Sequence, residues 1–360
     1  MSPSPGLEPT GGIGPLRDDT RAYVVSAIIP TFNAKRFLDS CLASVLAAAE
    51  HHGAVEVIVV DNGSTDGTWG EVQLRQCEWV RALQAPGVTV AAVRNRGAEL
   101  ARGRYFAFID SDCEVGREYF REVERSLSSG DWVASGSLCA LPPSPHWIER
   151  VWHRLHQQGP NPRPKYINGA NLVVTREAFC RVGGFQEALI TDEDVDFCAR
   201  LVNHGFRFKE DPHIAAVHHG NPRSLRAFVR REAWHSIGSR RRGAAKIDKP
   251  TAMALTHLIC GAATLAAALF GSWLSAPARV LLAVGGQTLM PLLAVLYRLM
   301  QGGKLENLPA ALLLYHLYFD ARGVVTLAAL VDRHHAANML RGSAIADESE
   351  GSPPRSSPAS

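Results

Sequence analysis

The sequence predicts an α/β domain with a mixed, mostly parallel sheet flanked by helices, followed by C-terminal transmembrane helices. Three observations predict it. Apolar runs at 23–29, 55–60 and 105–109 each stop at a polar loop. Apolar residues at helical spacing separate the first two, as a right-handed βαβ crossover requires. Residues 250–274 contain no Asp, Glu, Lys or Arg.

The elements follow in order. Tyr23 to Ile29, YVVSAII, reads as a strand ended by Pro30, with Thr31-Phe32-Asn33 as a loop. Lys35 to Ala49 carries Phe37, Leu38, Cys41, Leu42, Val45 and Leu46 on one helical face. Val55 to Val60, VEVIVV, is a second strand that opens into DNGSTDG at 61–67. Polar loops at two successive strand ends imply a nucleotide crevice above the sheet. Asp61 is placed there to accept hydrogen bonds from a base, and Gly63 and Gly67 permit close turns. An ordinary strand-end turn is the other reading, because Asn-Gly and Asp-Gly are strong turn dipeptides. Val90 to Gly97, VAAVRNRG, leads into a helix predicted over Gly97 to Arg102. Arg94 fits beside a diphosphate, whose oxygens match a guanidinium fork; a surface arginine is the plainer alternative.

Tyr105 to Ile109, YFAFI, is a buried strand that ends in Asp110-Ser111-Asp112. Residues i and i+2 of a strand share a side, so both carboxylates are expected at one ion at the carboxyl end of the strand. Hard divalent cations, Mn²⁺ or Mg²⁺, suit carboxylate and phosphate oxygens. A solvated acidic turn is the competing reading.

The net charge of +3 says little, but residues 223–249 hold nine Arg or Lys against Glu232 and Asp248. Seven cysteines without a Cys-x-x-Cys pair favour reduced thiols over a disulfide framework or a zinc site. The start, MSPSPGLEPTGGIGP, lacks the basic-then-apolar order of a signal peptide, so the N-terminal part is expected not to be exported. Both ends, about 1–20 and 343–360, are rich in Pro, Gly and Ser and are expected to be disordered.

IIPTFNA at 28–34, VIVVDNGSTDGT at 57–68 and RNRGAELARGRYFAFIDSDCEV at 94–115 resemble family 2 glycosyltransferases of the GT-A fold. So do INGAN at 167–171, VGGF at 182–185 and TDEDVD at 191–196. Together these six ordered motifs span roughly residues 22–240. The resemblance implies an inverting transfer of a sugar from a nucleotide-diphosphate sugar to a hydroxyl acceptor. It assigns Pro30, Thr31, Asn33, Asp61, Arg94, Asp110 and Ser111 to the donor. Asp110 and Asp112 would hold the metal, with Asp112 the closer ligand, and Asp194 would deprotonate the acceptor. Gly169 and Glu193 fall on the acceptor side. His218 fits the family's third metal ligand better than His219, although a partly exposed histidine pair is an equal reading. Carboxylates crowded at 192, 193, 194 and 196 repel one another, which raises the proton affinity of one of them. The same cluster suits a helix N-terminus capped by Thr191. The processive synthases of the family carry Gln-x-x-Arg-Trp shortly afterwards. Here Arg230-Arg231-Glu232-Ala233-Trp234 lacks the glutamine and the spacing, which points to one sugar per encounter.

Thr251 to Leu274 is uncharged over 24 residues, about 36 Å as a helix, enough to cross a bilayer. Ala278 to Tyr297 is a second candidate, and Leu308 to Val331 a third, flawed by Asp320 and Arg322. A buried helical hairpin is the alternative for all three. The basic stretch before the first span places the catalytic part on the cytoplasmic side of the inner (plasma) membrane. No nucleic-acid-binding signature accompanies it, so anionic lipid is the expected partner, and a lipid-linked saccharide or glycan the expected acceptor. The expected domains are a glycosyltransferase domain over 21–245 and a membrane domain over 250–335. A nucleotidyltransferase and a non-catalytic membrane scaffold are the rival readings.

Overall fold

A computed structural model describes residues 23–157, 164–241 and 249–331. The tails expected at 1–20 and 343–360 lie outside the described residues, as do 242–248 of the basic stretch. The chain forms two compact units. The first holds the described residues of 23–140, 164–188 and 193–218, and the second those of 141–157, 189–192 and 219–331. The domain boundary expected near 245 lies outside the described residues.

In chain order the elements begin with β1 (Val25–Thr31), α1 (Lys35–His52), β2 (Val55–Asp61), α2 (Thr68–Gln73), β3 (Val80–Gln84), α3 (Val90–Leu100) and β4 (Tyr105–Ile109). They continue with β5 (Cys113–Val115), α4 (Tyr119–Ser128), β6 (Ala134–Gly136), α5 (Trp147–His156), β7 (Asn171–Thr175) and α6 (Arg176–Arg181). Then come α7 (Glu193–Asn203), β8 (Phe208–Glu210), β9 (Ala216–His218), α8 (Leu225–Arg241), α9 (Lys249–Phe270), α10 (Ala276–Met300) and α11 (Leu308–Val331).

The first unit is built on a seven-stranded sheet in the order β3-β2-β1-β4-β7-β6-β8. Strands β3, β2, β1 and β4 are mutually parallel; β7 runs against β4 and β6, and β8 is parallel to β6. A two-stranded antiparallel ribbon, β5-β9, stands apart from it. Both faces of the sheet are covered, which explains the unbroken apolar runs. Val25, Ala27 and Ile29 face α1 and α4 through Leu38, Val45 and Phe120. Ile28, Phe106 and Phe108 face α3, α6 and α7 through Val93, Phe179 and Phe197.

Three of the boundaries that differ from the expectation bear on the site. Pro30 does not stop β1, which runs on to Thr31. The pairing of β1 with β4 ends at Ile28, so Pro30 faces only β2, and its missing N–H breaks no ladder on the β4 side. Helix α3 starts at Val90, seven residues before the predicted Gly97, because Thr89 caps it by accepting from the Ala92 N–H at 3.3 Å. Helix α7 starts at Glu193, so Asp192, at φ 65°, stands between it and the expected cap Thr191.

Gly97 shows how tightly α3 lies on the sheet. A Cβ there would come 2.4 Å from Cγ2 of Ile28, inside a core strand that cannot retreat. Gly97→Ala is expected to destabilise the protein by about 1–3 kcal/mol through overpacking, read as a lower unfolding midpoint of the detergent-solubilised chain.

The second unit gathers α5, α8, α9, α10 and α11 around Ile148, Leu155, Phe228, Ala254, Val295 and Phe319. Trp152 of α5 packs on Phe228 of α8 at 4.9 Å and on Tyr315 of α11 at 5.2 Å between ring centroids. Among the described residues, α9 and α10 are the two helices long and apolar enough to cross a membrane. Helix α11 is not one of them, and Ala311, Leu314, Tyr315 and Phe319 bury it against its neighbours. Its Arg322 reaches Glu232 of α8 at 3.5 Å and lies over the Tyr318 ring at 4.7 Å.

Candidate active site

The chain crosses past β1 when it passes from β3 to β4, so the sheet order reverses between β1 and β4. The crevice at a topological switch point lies outside the carboxyl ends of those strands. Thr31 and Asp110 stand at these ends.

The loop after β1 is fastened to the loop after β2. The Asn33 N–H donates to Ser64 Oγ at 2.8 Å, and Asn33 Oδ1 accepts from the Thr65 N–H at 2.8 Å. Asn33 holds φ 46° to do so, a conformation asparagine tolerates. Asp61 is fully buried, and both its carboxylate oxygens are engaged inside the structure. Oδ2 accepts from the N–H groups of Gly63 and Ser64 at 3.0 Å each and from Gln84 at 3.2 Å, and Oδ1 accepts from the Ser64 hydroxyl. In this arrangement Asp61 shapes a strand-end turn and presents no exposed oxygen. Pro30 lies in β1 beside it, and the buried Thr31 hydroxyl has no hydrogen-bond partner.

Asp110 and Asp112 leave the strand that was expected to carry them to one side, and each engages its own partner. Strand β4 ends at Ile109, and a turn closed by the Cys113 N–H on Asp110 O follows at 2.9 Å. The same-side rule stops where the strand stops. Asp110 Oδ1 accepts from Arg94 at 2.7 Å, Ser111 is buried between the two acids, and Asp112 turns to His218. Burial raises the pKa of Asp110 although Arg94 opposes it.

Arg94 is only 3% exposed, so it is not the surface arginine of the plainer reading. One arm of its guanidinium donates to Asp110 and the other to Glu193 at the start of α7. Burial disfavours its charge, but the two carboxylates outweigh that and hold it cationic. A Cβ on Gly169 would come within 3.1–3.3 Å of the guanidinium, so the glycine lets the backbone lie against it. The Gly169 N–H then donates to Asp194 Oδ2 at 2.9 Å, and the Val195 N–H donates to Asp194 Oδ1 at 2.7 Å. Burial first, and the adjacent Glu193 charge second, push the Asp194 pKa up to about 7. A carboxylate with that proton affinity can take a proton from a hydroxyl and release it near neutral pH.

Asp112 and His218 face each other at 3.3 Å, Oδ2 to Nε2, and each is about a quarter exposed. Burial would raise the Asp112 pKa, but the hydrogen bond and charge of His218 outweigh it and hold it low. Burial likewise opposes a charged His218, and Asp112 overrides that to lift its pKa to about 9. The ligand atoms of Asp112, Cys113 and His218 lie within 4.8 Å of one another. The Cys113 thiol is buried and its pKa raised, which disfavours the thiolate a metal needs. The pair that remains, one carboxylate oxygen and one imidazole nitrogen reachable from solvent, fits a divalent ion such as Mn²⁺.

Sequence reasoning missed Asn95 and Phe185. The Asn95 side chain accepts from the Phe185 N–H and donates to its carbonyl, both at 2.9 Å, so it fastens the Gly-Gly-Phe turn to α3. The Phe185 ring then lies 5.7 Å from the Arg94 guanidinium and packs on Phe197 of α7. Asn95 sits in the RNRG motif next to Arg94, and that adjacency was the available signal.

Comparison with known proteins identifies the family and the fold. The family model "Glycosyl transferase family 2" matches residues 26–183, and "Glycosyl transferase family group 2" matches 105–319. Glycosyltransferase AglE of Haloferax volcanii is 25% identical over 205 residues, 55% of this chain and 67% of that protein. The pre-mycofactocin glycosyltransferase of Mycobacterium tuberculosis is 27% identical over 194 residues, covering 50% of this chain but only 41% of its own length. The mannosyltransferase PcManGT of Pyrobaculum calidifontis, solved with GDP-Man and Mn²⁺, superposes over 83% of this chain and 89% of its own. Its TM-score is 0.56 at 22% sequence identity, a likeness of fold. The chain belongs to the family 2 glycosyltransferases and carries their GT-A fold.

Proposed function

We propose that the protein transfers a sugar from a nucleotide-diphosphate sugar to a hydroxyl acceptor with inversion, Asp194 serving as the general base. The observation that carries this reading is the half-buried Asp194 carboxyl, oriented by two backbone N–H groups, its pKa pushed up to about 7. A single base opposite the leaving group suffices for inversion, because the attacking hydroxyl then loses its proton as the new bond forms. Glu193 and Arg94 position that base: Arg94 links α7 to the turn after β4 through Glu193 and Asp110. Asp112 and His218 would hold a divalent cation, which supplies Lewis-acid neutralisation of the departing diphosphate. Pro30, Thr31, Asn33, Asp61 and Ser111 are assigned to the donor side, where the buried Asp61 acts by holding the strand-end turn in place. The GDP-Man and Mn²⁺ bound by PcManGT agree with this donor and ion class.

The acceptor we assign is a lipid-linked saccharide or glycolipid at a cytoplasmic membrane face. Support comes from the two apolar helices and from the arginines of α8 that precede them. The test is release of nucleoside diphosphate from a panel of nucleotide sugars by detergent-solubilised protein, with polyprenyl-linked and free acceptors. Mn²⁺ or Mg²⁺ should support turnover and EDTA abolish it. Asp112→Ala should remove the metal response, with a loss on the order of 10²-fold or more. Release of pyrophosphate from a sugar phosphate and a nucleoside triphosphate would overturn the reading.

A further inference from the structure

Helices α9 and α11 bring three ligand-type side chains together in the second unit. His257 lies on α9, and His316 and Asp320 lie one turn apart on α11. Their ligand atoms fall within 4.8 Å of one another. His257 Nε2 stands 3.4 Å from Asp320 Oδ1, and His316 Nε2 stands 3.3 Å from Asp320 Oδ2. His257 is only 1% exposed, and neither of its ring nitrogens makes an aligned hydrogen bond. A buried imidazole without a hydrogen bond costs free energy unless something satisfies it.

The approach of the helices is built in. A Cβ on Gly323 of α11 would meet Leu258 Cδ1 at 2.5 Å and the Ala254 carbonyl at 3.2 Å. Ala254 lies three residues before His257 on the same face of α9. Small residues at a crossing let helix backbones approach closely in an apolar medium. His257 thereby reaches a carboxylate that would otherwise be an expensive charge in an apolar helix.

The distances suit a metal. Ligands about 2.0–2.1 Å from a tetrahedral ion lie about 3.3 Å from each other; each histidine nitrogen stands 3.3–3.4 Å from one of the two Asp320 oxygens, within reach of an ion between them. We propose that His257, His316 and Asp320 form a binding site for a borderline divalent transition metal of the Zn²⁺ class, which clamps α9 to α11. Two imidazole nitrogens and a carboxylate are the donor set such an ion prefers over Mg²⁺ or Ca²⁺. His316 and Asp320 are each about a third exposed, which leaves the ion an entry path and a position for water.

The test uses the full chain, untagged, in detergent and stripped by chelator. Asp112→Ala and His218→Ala are introduced together, so that the first unit cannot contribute its own pair. Titration with Co²⁺ should give the visible bands of a four-coordinate ion at one equivalent, and Zn²⁺ should displace it and raise the thermal midpoint. Asp320→Asn keeps the shape of the side chain, and His316→Ala alters a partly exposed position. Each should weaken Co²⁺ binding at least 100-fold and remove the Zn²⁺-dependent rise. His257→Ala opens a cavity and is the variant prone to misfold, so the other two variants decide the outcome. Absence of Co²⁺ and Zn²⁺ binding, or binding unchanged by Asp320→Asn, would overturn the proposal.

Discussion

Asp194→Asn is expected to lower kcat/KM by roughly 10²–10⁴-fold, the usual range for removing a general base. The exchange keeps the size of the side chain and one carbonyl oxygen, so one of the two N–H groups, Gly169 or Val195, retains its acceptor while the other faces the amide NH2. What disappears is the proton acceptor. The pH profile separates this from a structural effect. Asp194 must be ionised to act, and its pKa stands at about 7. The wild-type kcat/KM should therefore rise about tenfold per pH unit on the acid side of that value and level off above it. In Asp194→Asn the residual rate should lose this limb. A variant that kept the limb at reduced amplitude would show that another group titrates, and would remove Asp194 from the role of base.

Much of the site was legible because it sits at strand ends. An apolar run that breaks off in Asp61 or Asp110 announces a carboxyl-terminal loop of a parallel sheet, and the structure has both there. What those acids touch was not legible. Asp61 turns inward on Gly63, Ser64 and Gln84, and its neighbour across the sheet comes from β3, whose VRALQ carries two polar residues and no clear period. Asp110 and Asp112 find separate partners, Arg94 and His218, because β4 ends at Ile109, before either acid, where the same-side rule no longer applies. The early start of α3 was not legible either, because Thr89, the cap that makes VAAV its first turn, lies outside the apolar run. The ribbon strands β5 and β9 are three residues each, too short for any alternation to show. Asp320 looked like a flaw in an apolar helix, because one of its partners, His257, lies 63 residues earlier in the chain. Pairings of this kind are properties of the packed helices.

Arg94→Met is the substitution expected to do most harm to the fold. The side chain is buried between Asp110 and Glu193, and its removal leaves two carboxylates without their cation. Breaking one partner of a buried ion pair costs about 3–5 kcal/mol, and here the Glu193 charge, 9% exposed, is left neither solvated nor paired, while Asp110 is 30% exposed. For a unit of this size the unfolding midpoint should fall by roughly 10 °C, followed by tryptophan fluorescence of the solubilised chain. The cause can be isolated. Adding Glu193→Gln to Arg94→Met removes one of the stranded charges, so the double variant should recover roughly 1–2 kcal/mol relative to Arg94→Met alone. If the two losses simply added, the carboxylates would not be what the arginine serves. The same residue also bears on chemistry at a distance. Burial is the main reason the Asp194 pKa is high, Glu193 adds to it, and Arg94 opposes both. Without the guanidinium the acid limb of the pH profile should move to higher pH, while Arg94→Met/Glu193→Gln should move it part of the way back. A packing defect alone would lower the rate and leave the limb where it was. That contrast ties the stability of the turn after β4 to the proton affinity of the base on α7 through one buried side chain.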